Sequence, residues 1–200
     1  MNAHFLLRLF GVLFFFTQFA TAAPMVIIDA GHGGHDRGGM PGQYYEEKGY
    51  ALDVAKRLDS VLRSAGYSTV MTRRGDYFVE LGERAAIANR YKGGRVVFVS
   101  IHFNGAPNPD AHGIETYYSS GSASARLAQS IHYQVLRTTG EEDRRVRSRS
   151  FSVLRNTRMP AVLCELGFLT NSGESRNIRS SSYRQRLAEA VAAGIRGVHR

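Results

Sequence analysis

The chain is poor in the features that would point to several protein classes. Of its 200 residues only one is a cysteine, Cys164, so no intrachain disulfide can brace it. The fold must hold by packing, with or without a metal. No apolar run beyond the first twenty-odd residues is long enough to cross a bilayer. No internal repeat, linker or low-complexity tract divides the chain, so a single domain is expected, with no room for a separate binding module. Glycines crowd Gly31 to Gly39, yet no Lys-Ser/Thr pair follows as a nucleotide-binding P-loop requires.

What is present begins with a leader. Phe5 to Ala20 is almost continuously apolar, and Ala20-Thr21-Ala22 supplies small residues where a signal peptidase reads. Residues 1–22 therefore read as a secretory signal peptide and 23–200 as the mature domain. The alternative, an uncleaved anchor, suffers from a short apolar run with no stop-transfer pattern. The net charge is +9, concentrated in Arg144 to Arg158 and Arg176 to Arg186. Export argues against nucleic acid, which leaves an anionic wall polymer or a merely solvated surface as the meaning of this charge.

After the leader, strand-like and helix-like segments alternate. Met25–Asp29, Tyr67–Thr72, Val96–Ile101, Ile114–Tyr118 and Ala161–Glu165 read as strands, and Phe151–Leu154 as a short edge strand. Glu47–Ala65, Glu80–Tyr91, Ser122–Thr138 and Tyr183–His199 carry apolar residues at helical spacing. Near-continuous apolar strands between amphipathic helices predict an α/β domain: a mostly parallel, twisted sheet of about six strands with helices on both faces.

Three polar clusters stand at strand ends: Asp29 to Asp36, Ser100 to Asn104, and Cys164 to Phe168. Ligands of open parallel sheets bind beyond the carboxyl ends of the strands, so His32, His102 and Glu165 should converge despite their separation. Two neutral imidazoles and a carboxylate suit a catalytic zinc ion with one position left for water. Glu46, Glu47 and Glu165 all remain open as the carboxylate. A further carboxylate is needed to take a proton from the water, and Glu165, between apolar neighbours, suits that role. Each residue alone has a plainer reading: a strand-end histidine is commonly structural, and a glutamate at a helix start commonly complements the helix dipole. His35, His112, His132 and His199 are read as structural.

Taken together and in order, several motifs resemble the zinc-dependent N-acetylmuramoyl-L-alanine amidases found in autolysins and cell-division hydrolases. They include Ile27 to Gly34, Glu47-Lys48, Glu83 to Asn89, Ser100 to Asn104, His112 to Tyr118, Val153 to Thr157 and Met159 to Asn171. The resemblance implies that His32, Glu47 and His102 bind one zinc ion, choosing Glu47 over Glu46, and that Glu165 is the catalytic carboxylate. It implies cleavage of the amide joining N-acetylmuramic acid to L-alanine in peptidoglycan, in the periplasm or outside the cell. Asn104 and Arg155 are weaker candidates for substrate contact. Gly49 stands where the family commonly has an acidic residue, and Cys164 where an aliphatic one is usual. A buried thiol there acts as a small hydrophobe, because neighbours on a strand face opposite sides. Some division-associated relatives carry a long helix that plugs the site, inserted before the catalytic strand. Here only Ser119 to Ser150 lies in that interval, so an open site, acting as a monomer without an obligatory protein activator, is expected. The competing readings are a zinc peptidase cutting within the stem peptide and a non-catalytic wall-binding module.

Overall fold

A computed structural model describes residues 23–41, 43–93 and 95–199. The expected signal peptide, residues 1–22, lies outside the described residues. Six strands form one sheet: β1 (Met25–Ala30), β2 (Ser68–Met71), β3 (Val96–Asn104), β4 (Ile114–Tyr118), β5 (Asp143–Ser148) and β6 (Ala161–Phe168), in the spatial order β2-β1-β3-β6-β4-β5. All neighbours run parallel except β4 and β6. The helices are α1 (Glu47–Ser64), α2 (Leu81–Asn89), α3 (Ser122–Thr139), α4 (Ser152–Arg155), α5 (Ser172–Arg179) and α6 (Ser181–Val198). Among the described residues no helix is long and apolar enough to cross a membrane.

The two-residue period of the strands sorts their side chains into two unequal layers. On one face Val26, Ile28, Val97, Val99, Ile101, Val162 and Cys164 pack under α1, α3 and α6. The apolar stripes of these helices, such as Val54-Leu58-Leu62 and Leu127-Ile131-Val135, are fully or almost fully buried there. On the other face Ile27, Phe98, Ala161 and Leu163 form a smaller cluster with Ala88 of α2 and Val153 and Leu154 of α4. The thinner layer leaves the carboxyl ends of β1, β3 and β6 reachable from solvent.

Two expected elements differ. Phe151–Leu154 is not an edge strand: Ser152–Arg155 is a helical turn, with the Arg155 amide donating to Phe151 O at 2.8 Å. The short apolar run is ambiguous by periodicity, and it caps the smaller core instead of extending the sheet. The basic stretch, for which the sequence suggests no element, contains β5, an edge strand paired with β4. Its arginines hid it, because an edge strand facing water can be highly charged. The polar helix α5 was also unmarked. It is capped by Asn171, whose side chain accepts from the amides of Gly173 and Glu174.

Candidate active site

The strand period brings the polar residues to one face. Asp29 pairs in register with Ser100, His102 with Glu165, and Glu165 with Glu115 of β4. One row of functional groups thus crosses β1, β3, β6 and β4. Glu47 joins it from the first turn of α1, at the sheet's carboxyl edge, and its side chain is buried.

His32, Glu47 and His102 offer one donor atom each within 4.8 Å of one another. Glu47 Oε2 lies 3.1 Å from His32 Nε2, and Oε1 lies 2.8 Å from His102 Nδ1. Backbone amides of Gly39 and Phe103 donate to the same two oxygens, each at 3.0 Å. Burial would raise the Glu47 pKa, but the two imidazoles outweigh it and bring it down to about 2. His32 Nδ1 faces Asp36 Oδ2 at 2.8 Å. Burial opposes charge on His32, yet Glu47 and Asp36 hold its pKa above the ordinary value. Two imidazoles around a buried carboxylate, with a second carboxylate orienting one ring, form a donor set that fits zinc.

Close backbone approach makes this possible. A methyl group at Gly31 would stand 2.4 Å from His102 Cε1, and one at Gly38 would stand 2.6 Å from both Glu47 Oε2 and His32 Cδ2. His32 itself has a left-handed φ of 58°. Two buried arginines hold the segment in that shape. Arg73 donates to the carbonyls of Ala30 (2.9 Å) and Gly31 (2.6 Å), and Arg84 to those of Ala30 (2.6 Å) and His32 (2.8 Å). Asp29 neutralises Arg84 at 2.9 Å while accepting from Thr72 and Ser100, both at 2.6 Å.

Glu165 lies beside this cluster at the wall of a cavity of about 350 Å³, lined also by His32, Glu47, His102, Asn104, Phe151 and Leu163. Its Oε2 is shielded from solvent and has no hydrogen-bond partner among the described residues. Burial first, then the charges of Glu47 and Glu115, push its pKa well above the usual carboxylate range. Asn104 lines the same cavity, but its Nδ2 donates to Glu115 Oε2 at 2.8 Å and its Oδ1 accepts from the Gly105 amide. Arg155 does not reach the cavity: it lines a separate hollow with Ser119 and Arg158, and contacts Ser150. Cys164 is buried in the opposite face, away from His32, Glu47 and His102. The other histidines are likewise apart. His132 bridges Thr116 and Asp143, His112 pairs with Glu142, and His35 packs on Phe78.

Sequence reasoning gave no role to Asp36, Arg73, Arg84 or Glu115. Asp36 had a signal, its four-residue spacing from His32 across a glycine turn. The arginines stand in family-like segments, but nothing there marked them as buried, since arginine is ordinarily a surface residue.

An α/β domain with a potential metal centre and an unpartnered acid at the carboxyl ends of its parallel strands defines a class of hydrolase architecture. The family model for N-acetylmuramoyl-L-alanine amidases matches residues 26–197, and the chain belongs to that family. It is 39% identical to the uncharacterized protein YqiI of Bacillus subtilis over 85% of this chain and 82% of that protein. It spans only 35% and 34% of two longer Bacillus cell-wall amidases. The catalytic domain of the amidase CwlV from Bacillus (Paenibacillus) polymyxa superposes with a TM-score of 0.80 at 38% identity, covering 87% of this chain and 97% of that one. CwlD of Clostridioides difficile, solved in complex with the lipoprotein GerS, superposes with a TM-score of 0.82 at 26% identity, covering 88% and 98%. The chain is thus a peptidoglycan amidase by family.

Proposed function

We propose that the protein is a zinc-dependent hydrolase of the amide between N-acetylmuramic acid and L-alanine. The observation that carries this reading is the convergence of His32, Glu47 and His102 beside the unpartnered carboxylate of Glu165. The three donors would hold one zinc ion, which supplies Lewis-acid polarisation of the carbonyl and lowers the pKa of its water. Glu165 would accept a proton from the water whose oxygen bonds to the carbonyl carbon, and deliver it to the amide nitrogen as the C–N bond breaks. Its raised pKa suits the delivery, and positive charge at the three donors would offset the repulsion from Glu47 that opposes the acceptance. Asn104 lines the cleft and has one amide hydrogen left for substrate. Arg155 is proposed only as a remote substrate contact, at the separate hollow.

Residues 1–22 would act as a signal peptide and the enzyme would work in the periplasm, the wall or outside the cell, a location that a relative named as a cell wall amidase supports. The interval Ser119 to Ser150 is spent largely on α3 and β5, neither of which lines the cavity. On this reading no inserted helix plugs the site, which would then be open without a protein activator. Mass spectrometry of peptidoglycan digested by residues 23–200, with and without chelator, tests the reading. A newly exposed L-alanine amine, lost on chelation, is expected. An internal peptide amine would make it a peptidase, and activity only after adding a second protein would overturn the open site.

A further inference from the structure

The row of functional groups does not end at Glu115. β5 lies beyond β4, and Tyr117 is in register with Arg147. In-register parallel residues share a face, so Arg147 stands on the same face as Glu165, Glu115 and Tyr117. The helices of the smaller layer cover β1, β3 and β6. Past them Phe151 reaches over β4, its ring 5.1 Å from that of Tyr117 in an edge-on arrangement. Phe151 also lines the cavity at Glu165, so one side chain touches both that cavity and Tyr117 of β4.

The two arginines beside this path differ. Arg144 is committed: it pairs with Glu115 at 3.2 Å and lies over the Phe168 ring. Arg147 is exposed, and only its Nε is engaged, donating to Arg144 O at 3.2 Å. Among the described residues no carboxylate pairs with it. Its guanidinium therefore presents an unused fork for a planar anion. Position suits a peptide. Two strand spacings and a two-residue offset put its backbone about 12 Å from that of Glu165. A side chain that reaches back about half of this meets the second or third residue of an extended chain rising about 3.4 Å per residue.

We propose that Arg147 determines specificity by binding a free carboxylate of the stem peptide, on the leaving-amine side of the scissile amide. This rests on the amidase reading above. The neighbouring hollow on the His32 side is a poorer match for an acidic chain, since Asp36 and Glu46 stand there and Glu46 pairs with Arg37.

The test uses the zinc-loaded enzyme and two muramoyl tripeptides, one with free carboxylates and one with every stem carboxylate converted to carboxamide. A charge-assisted bidentate contact should favour the acidic substrate about tenfold in kcat/KM, through KM. Arg147→Gln should bring the ratio near one, and Arg147→Lys should restore part of it. A loss that falls equally on both substrates, or a preference that survives Arg147→Gln, overturns the assignment. Should the unaltered enzyme release the L-alanine amine from neither substrate, the amidase reading itself fails and this inference with it.

Discussion

Asp36 offers the sharpest test of how the site is held. Its Oδ2 stands 2.8 Å from His32 Nδ1, and its Oδ1 accepts from the Gly38 amide at 3.1 Å. The first contact puts the proton on Nδ1 and leaves Nε2 to face Glu47 and a metal. The second shapes the turn that brings Gly38 and Gly39 against the Glu47 carboxylate. Removing such an orienting carboxylate costs about 10- to 100-fold in metal affinity, or about 1.4–2.8 kcal/mol. Asp36→Asn keeps an acceptor of the same shape but loses the charge, so it should fall near tenfold. Asp36→Ala loses both contacts and should approach 100-fold. Zinc competition against a chromophoric chelator reads this directly, and circular dichroism melts taken in chelator show whether the fold is intact. Zinc affinity of Asp36→Ala within threefold of the unaltered protein would refute the orienting role. So would an equal loss in both variants, because charge and geometry would then not be separable contributions.

Three further outcomes are expected. Glu165→Gln should abolish hydrolysis while retaining zinc, whereas His102→Ala should lose both; full activity in Glu165→Gln would refute the proton transfer. Asp29→Asn should destabilise the fold by about 3–5 kcal/mol in urea titrations, because it leaves the buried Arg84 charge uncompensated. Burial alone would raise the Asp29 pKa, but Arg84, Ser100 and Thr72 outweigh it and hold it below 3.8. The advantage over the variant should thus be complete above pH 3.8 and shrink as pH falls through the lowered value; a constant difference down to pH 2 would contradict this. Gly49→Ala should stabilise by about 0.5–1 kcal/mol, seen as a higher melting temperature, since Gly49 is exposed in the first turns of α1 with open space around its Cα.

The elements legible in the sequence were those whose burial imposes a pattern. β1, β3 and β6 are covered on both sides and read as unbroken apolar runs, and α1, α3 and α6 bury one stripe each. Burial is what writes periodicity, so β5 and α5, which bury little, left no such signal. The short run at Phe151 is apolar because it caps the small core, and that requirement says nothing about whether it is strand or helix.

The site divides in the same way. Histidine and carboxylate suit a metal site, and ligands of parallel sheets bind beyond the strand ends, so chemistry and topology together pointed to His32, His102 and Glu165. Choosing Glu47 over Glu46 turns on helix phase at a boundary that pattern resolves only to within a turn. In the structure Glu47 turns inward to the imidazoles, while Glu46 pairs with Arg37 and Lys48 near the surface. The supporting shell was hidden for a different reason. Arg73 and Arg84 act on main-chain carbonyls, which every residue possesses, so nothing in the sequence marks what they hold. Their burial is intelligible only once the His32 segment is seen to turn through a left-handed residue, leaving the carbonyls of Ala30, Gly31 and His32 outside any ladder and in need of donors. A sheet could have satisfied those oxygens with another strand, but a strand there would crowd His32, Glu47 and His102. Long, multiply donating side chains satisfy the same oxygens from beneath and leave the face above them free for substrate.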